Sequence, residues 1–347
     1  MYVESFCAIM LLNEAGDNSM EKSQINKKRF WLCYLYPMRL ITLEGESITF
    51  TLDEINDCTY DQAILCRIVG HLSNTFNGIE IEYTICGDGA LLISINEKSF
   101  STNDLILHFN DFLCKLLLGG IYVEAINNKD ITTGFLHGKN MIWPVNFGES
   151  LSSNMHARIR MRLASNTEAI VLYVACESAK SISEINTALS RGNAIIGDID
   201  NISTFYLLTG ISELRYGNWS ASLSNLWIIT EQITDFLWEN RFLADETRNP
   251  NIPSRIQSLR QDNRTYSASV KQEILFQLGI IPADIYSELY SIRKARNRLV
   301  HEGKMVNKEV AMGLYKTIKT LLPIASKQES IAPLLDNEIF DFSHSME

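Results

Sequence analysis

The chain has 347 residues, of which 46% are apolar and 21% charged, and a formal charge of −10 at pH 7. That length is enough for two domains of ordinary size, and the balance of apolar to charged residues is that of a folded chain. Net negative charge excludes a protein that coats nucleic acid with its whole surface.

Residues 1–26 read as a tail. The early apolar run 6–12 follows Glu4 and has no basic start, so no signal peptide is expected. Residues 27–176 read as an α+β domain. Within it, segments 48–52 and 79–85 alternate in strand fashion, and 91–95, 121–125 and 169–175 read as buried strands. Segments 60–74 and 103–118 read as helices, the first with Ile64, Ile68 and Leu72 on one face. That places His71 and His108 on helices, at apolar faces. Cys86-Gly87-Asp88-Gly89 reads as a turn and His137 as a solvated loop residue. Further on, His156, Arg158, Arg160 and Arg162 alternate with Ala157, Ile159, Met161 and Leu163. This reads as a strand with one cationic face, paired with local acids in preference to phosphates. The seven cysteines are odd in number, lack any CxxC pair and end at Cys176. They point away from zinc or disulfide frameworks and toward a reducing cytoplasm. The apolar run 112–123 is interrupted by Lys115 and is too short to span a bilayer.

Residues 177–200 read as a connector with a short helix at 182–189 and Gly192 and Gly197 after it. Beyond it the period becomes helical: 202–216, 219–241, 268–278, 282–302 and 307–321, the last stopped before Pro323. An arginine-rich loop, 247–265 with Pro250 and Pro253, carries at most a short helix at 254–260. Residues 201–325 thus form a bundle of about five helices, and 326–347 an acidic tail. The change of pattern near 177–200 suggests two separately cored units.

Chemistry concentrates in Arg296-Asn297-Arg298-Leu299-Val300-His301. An arginine, an asparagine and a histidine can hold a phosphate and move a proton without a metal. Ile285, Leu289, Ile292 and Leu299 form one helical stripe, while Tyr286, Tyr290, Arg293, Asn297 and His301 form an aromatic and polar one. Arg296 falls on the apolar arc, where it needs a carboxylate or a cleft to reach. Gly303 reads as the helix stop, which puts His301 in the last turn. His301 is the sole histidine between residues 195 and 330, and residues 241–304 hold eleven Lys/Arg against seven Asp/Glu. No glycine-rich phosphate loop, HExxH or GxSxG occurs.

The run from Leu289 to Gly303 resembles the core of the HEPN family, Arg-x4–6-His with Asn after the Arg. Tyr216-Gly217-Asn218-Trp219, Leu223, Trp227 and Glu231 resemble that family's earlier helix. The resemblance covers roughly residues 195–325 and says nothing about residues 1–190; it implies that the α+β N-terminal domain read above is followed by an all-α HEPN-like helical bundle. It implies a homodimer whose motifs face each other, and a metal-independent endoribonuclease needing no cofactor. Arg296 would bind the scissile phosphate and His301 would transfer protons, with Asn297 orienting one or the other. Glu231 would hold Arg296, with Arg293 and Tyr290 in support. Lys294, Arg298 and Lys304 are the further RNA-binding candidates. Such layouts occur in toxins and phage-defence effectors, where the N-terminal domain binds a trigger or inhibitor. Two other readings stand beside it. One is a non-catalytic HEPN-like module for nucleotide binding or dimerisation, and the other a DNA-binding regulator reading through the arginine strand, which overall acidity disfavours.

Overall fold

The structure, a computed structural model, describes residues 28–95, 100–199, 201–245, 252, 254–262 and 264–328. The expected tail at 1–26, Pro250, Pro253 and nearly all of the acidic tail lie outside the described residues.

Asn77 and Gly78 both adopt positive φ, 50° and 74°. A two-residue turn of that kind has the twist a hairpin needs, and it joins β3 (Ile68–Phe76) to β4 (Ile79–Cys86) in antiparallel register. The helix expected at 60–74 is therefore only Gln62–Cys66, capped by Asp61, and His71 lies on an exposed strand position. The spacing of Ile64, Ile68 and Leu72 suits both periods, and the Asn-Gly pair decides between them. With β1 (Arg29–Tyr34), β5 (Ala90–Ser94), β6 (Thr132–His137) and β7 (Met141–Pro144) these strands form one antiparallel sheet, ordered β3-β4-β5-β1-β6-β7. A parallel pair, β2 (Ile41–Thr42) with β8 (Lys180–Ser181), lies apart.

Several expected strands differ. Residues 48–52 form no ladder, and Leu52 begins α1 (Leu52–Asn56) behind a Thr51–Glu54 capping box. Residues 121–125 are extended and buried, yet their amides go elsewhere: Glu124 N to Tyr36 O at 2.8 Å and Ala125 N to Ser212 Oγ at 2.8 Å. The cationic strand is a helix, α4 (Leu151–Arg160), after α2 (Gln62–Cys66) and α3 (Thr102–Leu118). Its buried residues Ser153, His156, Ala157 and Arg160 follow the i, i+3, i+4, i+7 spacing, so two polar side chains sit on the inner face and hid the helical period. Residues 169–175 likewise belong to a helix, α5 (Asn166–Glu177), started by a Ser165–Glu168 capping box. A short apolar run cannot by itself separate buried strand from buried helix.

The expected connector is α6 (Ile182–Asp198), a 17-residue helix capped by Ser181 and Glu184. It lies against α3, a helix buried along most of its length. Two glycines permit the approach. A Cβ on Gly192 would stand 2.0 Å from the Lys115 carbonyl oxygen, and one on Gly119 2.0 Å from that of Ala188. Gly192 is thus a helix-crossing residue and ends nothing.

The helical C-terminal region follows: α7 (Thr204–Arg215), α8 (Trp219–Leu237) running into a wider turn at Trp238–Leu243, α9 (Arg255–Gln261), α10 (Ala268–Gln277), α11 (Ala283–Glu302) and α12 (Lys308–Ser326). Pro323 lies inside α12, in its last turn, where the helix loses a single hydrogen bond and continues. One apolar cluster runs from Cys33 and Tyr83 on the sheet through Phe109 and Leu116 on α3 to Leu207, Leu226, Leu289 and Leu321. The separately cored units expected from sequence are joined. A buried polar network crosses the same boundary. Asp111 accepts from Lys115 at 2.7 Å, Asn74 at 2.8 Å and Thr204 at 3.0 Å, while Lys115 also donates to Asn74 and to the Thr75 carbonyl, both at 2.8 Å. Strand β3, helix α3 and helix α7 are pinned together by groups whose partners are all present.

Candidate nucleic-acid interface

Helix α11 carries the Arg-Asn-x3-His run. Pro282 precedes it, Asp284 occupies its first turn, and Gly303 ends it in the left-handed region at φ 67°. Ile285, Leu289, Ile292 and Ala295 are its buried face. The loop that follows is tied down, with Val306 N donating to Ser220 Oγ at 2.9 Å on the first turn of α8. The His301 end of the helix is therefore held against the bundle.

The aromatic and polar stripe divides in two. Tyr286 stacks on Phe276 of α10, ring centroids 4.7 Å apart, and its hydroxyl donates to Glu273. Arg293 reaches Gln272 of α10 at 3.5 Å. These two residues serve the chain's own packing, which explains much of the stripe's aromatic character. Tyr290, Lys294, Asn297, Arg298 and His301 are exposed. The Lys294 ammonium lies 4.3 Å and the Arg293 guanidinium 5.4 Å from the centroid of the Tyr290 ring. Lys304 is engaged by Glu302 at 2.6 Å.

Arg296 is half-buried, and its Nη1 lies 3.4 Å from Asn297 Oδ1. The expected partner is elsewhere: Glu231, on α8, accepts from Trp227 Nε1 at 2.7 Å. Among the described residues no carboxylate forms an ion pair with Arg296, so its charge is open to an anion. Asn297 and His301 are one turn apart and about 40° apart around the helix, whereas Arg296 and His301 are about 140° apart. One copy of α11 brings Asn297 and His301 together and leaves Arg296 turned aside.

Strongly perturbed groups lie away from α11. Asp88, in the turn after β4, takes Arg160 Nε and Nη2 at 2.6 and 2.5 Å, while Arg160 Nη1 donates to the Ile142 carbonyl at 2.8 Å. His156 stacks on Tyr34 at 4.2 Å with Nδ1 3.6 Å from Asp88. The outer arginines of the supposed cationic face are also spent, Arg158 on Glu168 at 3.1 Å and Arg162 on the Tyr60 carbonyl at 2.9 Å. Asp88, His156 and Arg160 are wholly enclosed, so no reactant reaches them and the cluster is structural. The sequence places Asp88 in a turn, and only the packing of α4 over that turn reveals its role. A second cluster has Glu124 accepting from Tyr122 at 3.3 Å and from Tyr216, and burial raises its carboxyl. A recess of about 150 Å³ beside Arg67 and Asn140 is smaller than the usual ligand pocket, and Arg67 is paired with Glu46. Among the described residues no three His, Cys, Asp or Glu group as metal ligands, and no helix is long and apolar enough to cross a membrane.

No family model, curated protein or solved structure matches this chain. The HEPN likeness rests on the residues of α11 and α8 named above.

Proposed function

We propose that the protein is a metal-independent endoribonuclease of HEPN type, acting as a toxin or phage-defence effector. The observation that carries this reading is Arg296: a half-buried guanidinium with no carboxylate partner among the described residues, beside an exposed Asn297 that itself lies one turn from an exposed His301. A cation held so, on the same helix as a proton-transfer group, suits a phosphodiester. RNA supplies its own nucleophile, so the protein need only orient the phosphate and handle protons. Arg296 neutralises the charge that builds on the phosphate oxygens. His301 removes or delivers a proton, a role worth roughly 10²–10⁴-fold. The products are a 2′,3′-cyclic phosphate and a 5′-hydroxyl.

The angular separation of Arg296 and His301 supports a site composed of two chains, in which one copy's Arg296 faces the partner's half of the cleft. The N-terminal sheet region then binds the trigger or inhibitor, with the cytoplasm as the setting. A second reading, a HEPN-like module that binds nucleotide or dimerises without cutting, draws on Glu231 being bound to Trp227 rather than to Arg296.

Incubation with total RNA, with and without chelator, followed by mapping of the cut ends, decides between them. His301→Ala should abolish cleavage with the thermal midpoint unchanged. Cutting by that variant at the wild-type rate, or loss of cutting with EDTA, would refute the mechanism.

A further inference from the structure

We infer that Tyr290 is a stacking platform for an unpaired base, and that the face of α11 it marks takes single-stranded RNA. The inference deepens the nuclease reading and rests on it for the identity of the ligand. Among the described residues three tyrosines expose a large part of their surface: Tyr206 at 37%, Tyr216 at 60% and Tyr290 at 46%. Tyr206 meets Phe205 edge-on, and Tyr216 is bound to the Glu124 carboxylate, which repels phosphate. Tyr290 alone of the three sits among cations, with Lys294 and Arg293 against its ring and Arg298 one turn beyond Lys294. From Tyr290 to Glu302 the helix carries Arg293, Lys294, Arg296 and Arg298 against the single acid Glu302, in a chain of charge −10.

An exposed π-face flanked by mobile positive charge is what a nucleotide strand needs. The base stacks on the ring, and Lys294, displaced from that ring, turns to the phosphate. Base stacking outweighs an exposed cation–π pair, so the exchange is downhill. Tyr290 lies about 10 Å along the helix from Asn297 and about 16 Å from His301, a span of a few nucleotides. In a duplex both faces of each base are covered by its neighbours, so an intact helix cannot use the platform.

The test measures binding, not cutting. A short fluorescent oligonucleotide with 2′-O-methyl riboses has no free 2′-hydroxyl and survives any cleavage activity. Its anisotropy is read with the wild-type protein, Tyr290→Phe and Tyr290→Ala, as single strand and annealed to its complement. The expected result is tighter binding of the single strand, roughly 5- to 100-fold weaker binding by Tyr290→Ala, and Tyr290→Phe within about twofold of wild type. Lys294→Gln should lower the salt dependence by about one phosphate contact. Equal binding by Tyr290→Ala, or equal binding of duplex, overturns the inference, as does a Tyr290→Ala effect confined to the oligomeric mass. Tyr290-dependent binding by a protein that leaves RNA uncut would sink the nuclease reading and keep this one. Cutting that ignores Tyr290 would do the reverse.

Discussion

Arg296 and Arg160 both have surroundings that their sequence neighbours do not suggest. Arg296 lies half-buried without an acid, so Arg296→Ala should abolish RNA cleavage while changing stability by no more than about 1 kcal/mol, read from urea midpoints. Arg160 is the reverse case. Its removal leaves Asp88 buried and unpaired, and Arg160→Met should destabilise the protein by roughly 3–5 kcal/mol. The same cluster sets a pH dependence. Burial, the largest influence, lowers the proton affinity of His156 below that of a free imidazole. The unfolded chain takes up this proton near pH 6.5, and the folded protein only at lower pH. Stability is therefore complete above about pH 6.5 and falls as pH drops through the window below it. Burial alone would raise the Asp88 carboxyl, but the charge and hydrogen bonds of Arg160 hold it well below the usual carboxylate range. Its contribution is present above about pH 3.9 and is lost in stronger acid. Urea midpoints should fall between about pH 7.5 and pH 5.5, and His156→Phe, which keeps the stack on Tyr34, should flatten that fall. An equally steep fall in the variant would assign the slope to other groups.

At the scale of elements, α3 and α6 cross closely at Gly119 and Gly192, and the crossing can be tested by adding one methyl group. Gly192→Ala drives a Cβ into the Lys115 carbonyl and should destabilise by about 1–3 kcal/mol or more. Gly197→Ala, on the same helix with nothing within 4 Å, should stabilise by roughly 0.5–1 kcal/mol. Equal effects at the two positions would contradict the crossing. The motif helix and the last helix, both expected from sequence period, carry regular apolar stripes: Ile285, Leu289 and Ile292 on α11, and Leu314, Ile318 and Leu321 on α12. The misread helices have two causes, a short apolar run in α5 and inward polar residues in α4. Helix α4 puts His156 and Arg160 inward, and such residues count as surface in any hydrophobic pattern. Of the site, Tyr290, Asn297 and His301 were legible as an outward stripe because helical geometry alone sets it. The partner of Glu231 was not, because Trp227 sits one turn away on the same helix and competes for it.

The largest apolar cluster runs from the sheet into the helical region, and the Asp111–Lys115 network crosses the same boundary. Thermal unfolding should show one cooperative transition, where separate domains would give two. Limited proteolysis should cut between residues 246 and 263 well before residues 182–198, since α6 is packed along α3. An early cut within α6 would argue against the joined core. Pairing of two copies through α11 should give a mass twice 39.4 kDa by light scattering at micromolar concentration. A strictly monomeric protein would remove the composite cleft.

The sequence by itself determined the C-terminal helices, their order and the outward face of the Arg-Asn-x3-His run. Those follow from local rules: an apolar period of 3.6, a glycine at the helix stop, a capping residue at the start. Only the tertiary structure decided which polar residues go inside. Arg160 reaches Asp88 from 72 residues away, Asp111 is met by Asn74 and Thr204, and Lys115 by Asn74, so these charged groups are tolerable in the interior because partners from elsewhere in the chain meet them. The same holds for Arg296, whose lack of a carboxylate becomes visible once α8 and α11 are packed and Glu231 is found bound to Trp227.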